Sequence, residues 1–256
     1  MPRLVLLPIL LLLGSSLFAT TATNVDEPIH MDCVDNVTDA HAGAFDGILD
    51  ALLSSLPAAA AASSGFAKDT IGSAPNLAYG LAQCRADVNA SDCRACLDAS
   101  AKDASAKCRG QRSAMVVREA CMLRYSNASF FGAMDKSYEI TKCGGDLHGQ
   151  KNASTSTQQF RTHLSDLLIN LTGKAAYRSP RLFAVGELEV SPSVKLYGMV
   201  QCTRDLAADD CHLCLASAVL SMLSPEYCDH MIFRSCFIRQ EEYPFYNAKA
   251  LEGADK

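Results

Sequence analysis

The sequence predicts an α+β protein of two tandem domains, each with two helices packed on an antiparallel β-sheet and stapled by three disulfides. Three observations carry that expectation. Tyr79-Gly80-Leu81-Ala82-Gln83-Cys84-Arg85-Ala86-Asp87 returns as Tyr197-Gly198-Met199-Val200-Gln201-Cys202-Thr203-Arg204-Asp205, and a duplication of this kind decides the domain organisation before any element is assigned. Each copy continues with Asp-Cys-x-x-Cys-Leu, at Asp92 to Leu97 and Asp210 to Leu215. Each copy owns six of the twelve cysteines, among runs of helical and then strand-like character.

The elements follow in order. Arg3, the apolar run Leu4 to Leu13 and small residues through Ala19 and Ala22 read as a signal peptide over residues 1–22, its apolar core too short to span a bilayer. Phe45, Ile48, Leu49, Leu52, Leu53 and Leu56 line one face of a first helix. Phe160, Leu164, Leu167, Leu168 and Leu171 repeat it, with Ser156 or Thr157 as a cap. Pro57 to Ser64 reads as a helix tail running into a loop before the Pro75-Asn76 turn. A second helix carries Leu97 and Ala101 toward Cys108, and Leu215, Ala218, Val219, Met222 and Leu223 toward Cys228. Met115 to Tyr125 and Met231 to Ile238 are short, apolar and rich in strand formers. Cys143 stands where Cys33 stands in copy one, so the domains are expected over 23–136 and 137–256, with the boundary near Lys136 to Tyr138.

Composition narrows the function. With 28 acidic against 23 basic side chains the formal charge is −5. Removing the leader takes away only Arg3, so a basic surface for nucleic acid is not expected. No later stretch has eighteen uninterrupted apolar residues, and the carboxyl end carries no lipid-anchor pattern. A secreted, extracellular protein without a membrane span is expected. Five acceptor motifs for N-glycosylation, at Asn36, Asn89, Asn127, Asn152 and Asn170, fit that route.

Cysteines in an oxidising compartment read as bridges, each restricting the unfolded chain by about 3–5 kcal/mol when it closes a long loop. Spacing alone leaves about 15 connectivities open for six cysteines. Cys93-x-x-Cys96 and Cys211-x-x-Cys214 have the form of a zinc knuckle or a redox pair, but secretion favours oxidation to bridges. No nucleophile elbow, His-Glu-x-x-His helix or acid pair occurs, and His148, His163 and His212 lack partners at ligand spacing. No catalytic residue, metal site or cofactor is therefore expected.

Tyr-Gly-x-x-Gln-Cys, the twice-used Cys-x8-Cys-x2-Cys, and Cys121-Met-Leu-Arg-Tyr-Ser-Asn-Ala-Ser-Phe-Phe131 resemble the ginkbilobin-like, cysteine-rich repeat secretory proteins of plants. The resemblance implies two helices on an antiparallel sheet in each domain. It also implies the bridges Cys33–Cys108, Cys84–Cys93, Cys96–Cys121, Cys143–Cys228, Cys202–Cys211 and Cys214–Cys236. Twelve residues separate Cys108 from Cys121 but seven separate Cys228 from Cys236, so a trimmed strand is expected in copy two.

The family implies two functional readings. One is an apoplastic stress or defence protein that contacts extracellular or cell-surface proteins; the other is an antifungal lectin for mannose-rich glycans. Some relatives bind mannose through an Asn after the first cysteine, an Arg on the penultimate strand and a Glu after the last cysteine. Copy one has Val34, Met115 and Ser126 there. Copy two has Gly144, either His230 or Arg234, and Glu241. Hydroxyl recognition needs fixed polar partners, so Glu241 is the surviving carbohydrate candidate, and in Gln240-Glu241-Glu242 a solvated charge is its plainer reading. Tyr243-Pro-Phe245-Tyr246 and Phe130-Phe131 read as packing along the last strands, with a sugar platform or a protein contact as the alternatives.

Overall fold

A computed structural model describes residues 27–34, 42–136, 139–143, 157–223 and 228–251. The leader over 1–22, Asn36, Gly144, His148, Asn152, the cap candidate Ser156, and the side chains of Val34, Cys143 and Thr157 lie outside the described residues.

Each copy opens with a strand, β1 (His30–Val34) or β6 (Glu139–Cys143), and a long helix, α1 (Ala42–Ala62) or α3 (Thr157–Arg178). A hairpin follows: β2 (Phe66–Ser73) with β3 (Asn76–Cys84), or β7 (Phe183–Ser191) with β8 (Val194–Cys202). The second helix is α2 (Ala90–Lys107) or α4 (Ala208–Met222). The closing hairpin is β4 (Ser113–Val117) with β5 (Cys121–Ser126), or β9 (Cys228–Phe233) with β10 (Cys236–Glu241). Both sheets are antiparallel and repeat one order, β1-β4-β5-β3-β2 and β6-β9-β10-β8-β7.

The helical stripes are the buried ones. Phe45, Leu49, Leu52, Leu53 and Leu56 lie in the first core and Leu164, Leu167, Leu168 and Leu171 in the second. The window Phe45–Ala62, with mean hydropathy 1.3, has the length and composition to cross a bilayer. Its apolar side chains pack against the sheet and α2 instead. Pro57 sits inside α1 rather than ending it, because the five alanines after it are the best helix formers and offset the one backbone donor it lacks. The expected loop is nearly absent. Ser64 and Gly65 take positive φ, Gly65 N donates to Ala60 O at 2.8 Å, and β2 starts at Phe66.

Strand alternation places two apolar faces on each sheet. Ala114, Val116, Cys121, Leu123 and Tyr125 face the first helical core, while Met115, Val117 and Met122 meet Ile140, Ile232 and Phe237 of the second domain. The two sheets therefore pack face to face, with a helix pair outside each. Gly80 makes the close helix-to-sheet approach possible: a Cβ there would lie 2.6 Å from Leu56 Cδ1 and 2.8 Å from Leu52 Cδ2. Its repeat mate Gly198 would meet Leu171 Cδ1 at 3.0 Å.

Five bridges join Cys33 to Cys108, Cys84 to Cys93, Cys96 to Cys121, Cys202 to Cys211 and Cys214 to Cys236. Cys228 is disulfide-bonded, and its backbone is in register with that of Cys143. The members of each Cys-x-x-Cys thus bond to different partners, not to each other. The shortened spacing in copy two does not trim a strand. β9 has six residues against five in β4 and begins at Cys228 itself, whereas Arg109 to Arg112 separate Cys108 from β4. The connection was lost and the ladder kept.

Candidate functional site

Of the lectin-type positions among the described residues, Met115 and His230 fall on the sheet faces that meet at the seam between the domains. Met115 is in register with Arg124 and His230 with Arg239, so His230, not Arg234, is the structural counterpart of Met115. Arg234 instead lies beyond β9 and ion-pairs with Asp32 of the first domain at 2.8 Å. Met115 is 1 % exposed and His230 2 %. A sugar has no access to either.

Glu241 departs from its sequence reading too. Its side chain is 12 % exposed, and its Oε1 accepts from Arg239 Nε at 3.0 Å, with Arg239 Nη2 at 2.9 Å. It is a held carboxylate rather than a solvated one. Arg239 also donates to Glu119 of the first domain and lies 4.3 Å from the centroid of the Phe245 ring. Its counterpart Arg124 pairs with Asp135 at 2.8 Å and lies 4.2 Å from the Phe130 centroid. Burial works against the charge of Arg124, and Asp135 supports it. A guanidinium over an aromatic face gains both quadrupole attraction and stem burial. Phe130, Phe131 and Phe245 therefore pack after the last strands, against arginines and neighbouring rings, not along the strands as expected.

His230 is buried beside charges of both signs. Burial and the nearby Arg239 both lower its pKa, outweighing the upward pull of Asp229 and Glu119. His163 and His212 lie on the helix pair of the second domain, half-buried, with the His212 ring 5.4 Å from Tyr177.

Sequence reasoning missed what the duplicated motif does. Gln83 Nε2 donates to Cys202 O at 2.8 Å, and Gln201 Nε2 donates to Cys84 O at 3.1 Å. Asp87 Oδ2 accepts from Asn247 N at 2.7 Å, and Asp205 Oδ2 accepts from Gly132 N at 2.8 Å. These are the same bonds made in both directions, as at a two-fold interface. The recurrence of Gln and Asp at matched positions was the available signal. Between the sheets the seam leaves a cavity of about 40 Å³ whose lining includes Val117, Met122, Ile232 and Phe237 beside Gln83 and Gln201, well below the roughly 300 Å³ of a small-ligand pocket.

Of the acceptor asparagines, Asn127 and Asn170 are exposed, the latter on α3. Asn89 is exposed but employed: it caps α2, its Oδ1 accepting from Asp92 N at 2.9 Å.

Residues 32–128 and 138–243 both match the family described as salt stress response/antifungal. The chain is 32% identical over 247 residues to an antimicrobial ginkbilobin-2-like protein of Castanea crenata, covering 93% of this chain and 95% of that one. It is 36% identical over 189 residues to cysteine-rich repeat secretory protein 38 of Arabidopsis thaliana, covering 72% and 71%. Against cysteine-rich receptor-like protein kinase 6 of the same plant it is 32% identical over 94% of its own length, spanning 36% of the kinase. The fold is that of the tandem DUF26 ectodomain of the Arabidopsis thaliana receptor-like protein PDLP8, with a TM-score of 0.68 at 24% identity over 85% of this chain and 99% of that one. With both halves matched and the double-sheet fold shared, the chain belongs to the salt stress response/antifungal family, as a tandem pair of its domains.

Proposed function

We propose that this chain is a secreted, non-enzymatic protein of the plant apoplast that serves stress or defence as an extracellular protein-interaction module. The observation that carries the reading is an asymmetry between two domains of one architecture. Of the five large apolar side chains exposed among the described residues, Ile169, Tyr177, Leu213 and Leu220 lie on α3 or α4, and none lies in the first domain. Ile169, His212, Val219, Leu220 and Leu223 line a groove of about 240 Å³ on that face. The fold does not require it, since Asp50, Ser54, Arg94 and Asp98 occupy exposed places on α1 and α2. Each apolar side chain that a partner covers contributes about 1.5–3 kcal/mol, and concentrated exposed apolar surface marks association sites.

The partner class is a protein ectodomain at the cell surface. Receptor-like protein kinases that share this domain pair are named among its relatives, and neither the antimicrobial relative nor the secretory one has an enzyme's name. The lectin reading loses its support, because Glu241 is ion-paired and His230 sealed in the seam.

The test is binding of the glycan-trimmed protein to recombinant ectodomains of cysteine-rich receptor-like protein kinases 6 and 8. Saturable binding is expected, weakened at least about tenfold in Ile169→Asp/Leu220→Asp, with stability within about 0.5 kcal/mol of wild type as for exposed sites generally. Binding to neither ectodomain, or binding indifferent to the double substitution, contradicts the reading.

A further inference from the structure

At the seam, on neighbouring antiparallel strands, three ligand-type side chains converge. Asp229 and His230 sit on β9 and Glu241 ends β10, and one donor atom from each lies within 4.8 Å of the other two. The imidazole is almost wholly enclosed, yet neither ring nitrogen makes a well-formed hydrogen bond: Nδ1 has only a long contact of 3.4 Å with Asp229 Oδ1, and Nε2 stands 3.9 Å from Glu119 Oε1. Asp229 Oδ1 is buried without a hydrogen bond as well.

That arrangement is frustrated for a neutral ring. A neutral imidazole has one N–H and one lone pair. With a carboxylate oxygen facing each nitrogen, either tautomer sets a lone pair against an anionic oxygen. A cation between Nδ1 and the carboxylates relieves it directly, and mixed imidazole and carboxylate donors suit first-row divalent ions.

We propose that Asp229, His230 and Glu241 bind a divalent first-row cation such as Zn²⁺ at the seam between the domains. His230 supplies Nδ1, and each carboxylate supplies one oxygen. Metal–ligand bonds of about 2.0–2.2 Å require donors roughly 3.4 Å apart, so the two acidic side chains swing inward while the backbone stays in place. Arg239 keeps Glu241 oriented through its bonds to Oε1, a supporting role that outer-shell groups commonly have toward metal-bound carboxylates. The fourth position is left to water. Histidine spacing along the chain could not reveal the site, because its donors come from two strands.

Isothermal titration of the full secreted chain, bridges intact and stripped with EDTA, against ZnCl₂ at neutral pH tests this. One equivalent per chain is expected, with affinity falling at least about tenfold in Asp229→Asn and in Glu241→Gln and unchanged in His163→Ala; outer-shell changes alone cost about 10–100-fold at known sites. Both diagnostic variants keep side-chain volume, so the result does not depend on a substituted His230 folding. No stoichiometric binding, or binding that survives both Asp229→Asn and Glu241→Gln, overturns the proposal.

Discussion

Gln83 and Gln201 hold the two domains together by one bond made twice, each side-chain amide donating to the carbonyl of the cysteine beside the other, at Cys202 and Cys84. Gln83 does more, since its Oε1 also accepts from Arg204 N at 2.8 Å. Truncating a buried partner leaves the orphaned group to bear a desolvation cost of about 1–3 kcal/mol. Gln83→Ala orphans two backbone groups and Gln201→Ala one. Urea unfolding is expected to show both destabilised, with Gln83→Ala the worse by about 1–3 kcal/mol.

The motif glycines are graded in the same way. Added methyl groups in a packed core cost about 1–3 kcal/mol. Gly80→Ala drives a Cβ into the ends of Leu52 and Leu56 at under 3 Å, whereas Gly198→Ala meets Leu171 and Leu167 at 3.0 and 3.1 Å. Thermal unfolding should rank Gly80→Ala below Gly198→Ala in stability.

Asn89 combines an acceptor motif with a helix cap. Asn89→Ser and Asn89→Ala both remove the acceptor, but serine keeps a side-chain oxygen for the Asp92 amide. The alanine variant is expected to be less stable than the serine variant by about 1 kcal/mol, the usual worth of such a cap. Equal stabilities in denaturant titration would show that the cap carries no weight here.

Peptide mapping without reduction should return the five bridges described together with Cys143–Cys228, and no alkylated Cys93 or Cys96. A Cys93–Cys96 pair would contradict the separation of their partners.

The helices were legible because their burial is one-sided: the Phe45 to Leu56 stripe repeats at 3.6 residues and survives intact in the core. The closing hairpins were legible as well, since Met115 to Tyr125 and Met231 to Ile238 read as strands and fall on β4, β5, β9 and β10, but the central strand β3 was not, because both of its faces are covered. In β3, Ala78 and Ala82 face helices while Leu81 and Gln83 are buried on the opposite side, which erases polar alternation. β2 failed for the opposite reason, its Lys68, Asp69 and Thr70 being exposed on an edge. Glu241 read as solvated because Arg239, which holds it, lies two residues away on its own strand, and Glu119, which fixes that arginine in turn, comes from the other domain. Local sequence could suggest the first and could not place the second.

On the proposed reading the protein meets its partner through the α3–α4 face and not through the lectin-type positions around Glu241. Hydrogen exchange measured on the complex with a bound receptor ectodomain separates the two. Protection confined to residues 157–178 and 208–222 is the predicted result; protection centred on 236–241, with the two helices unchanged, would contradict it.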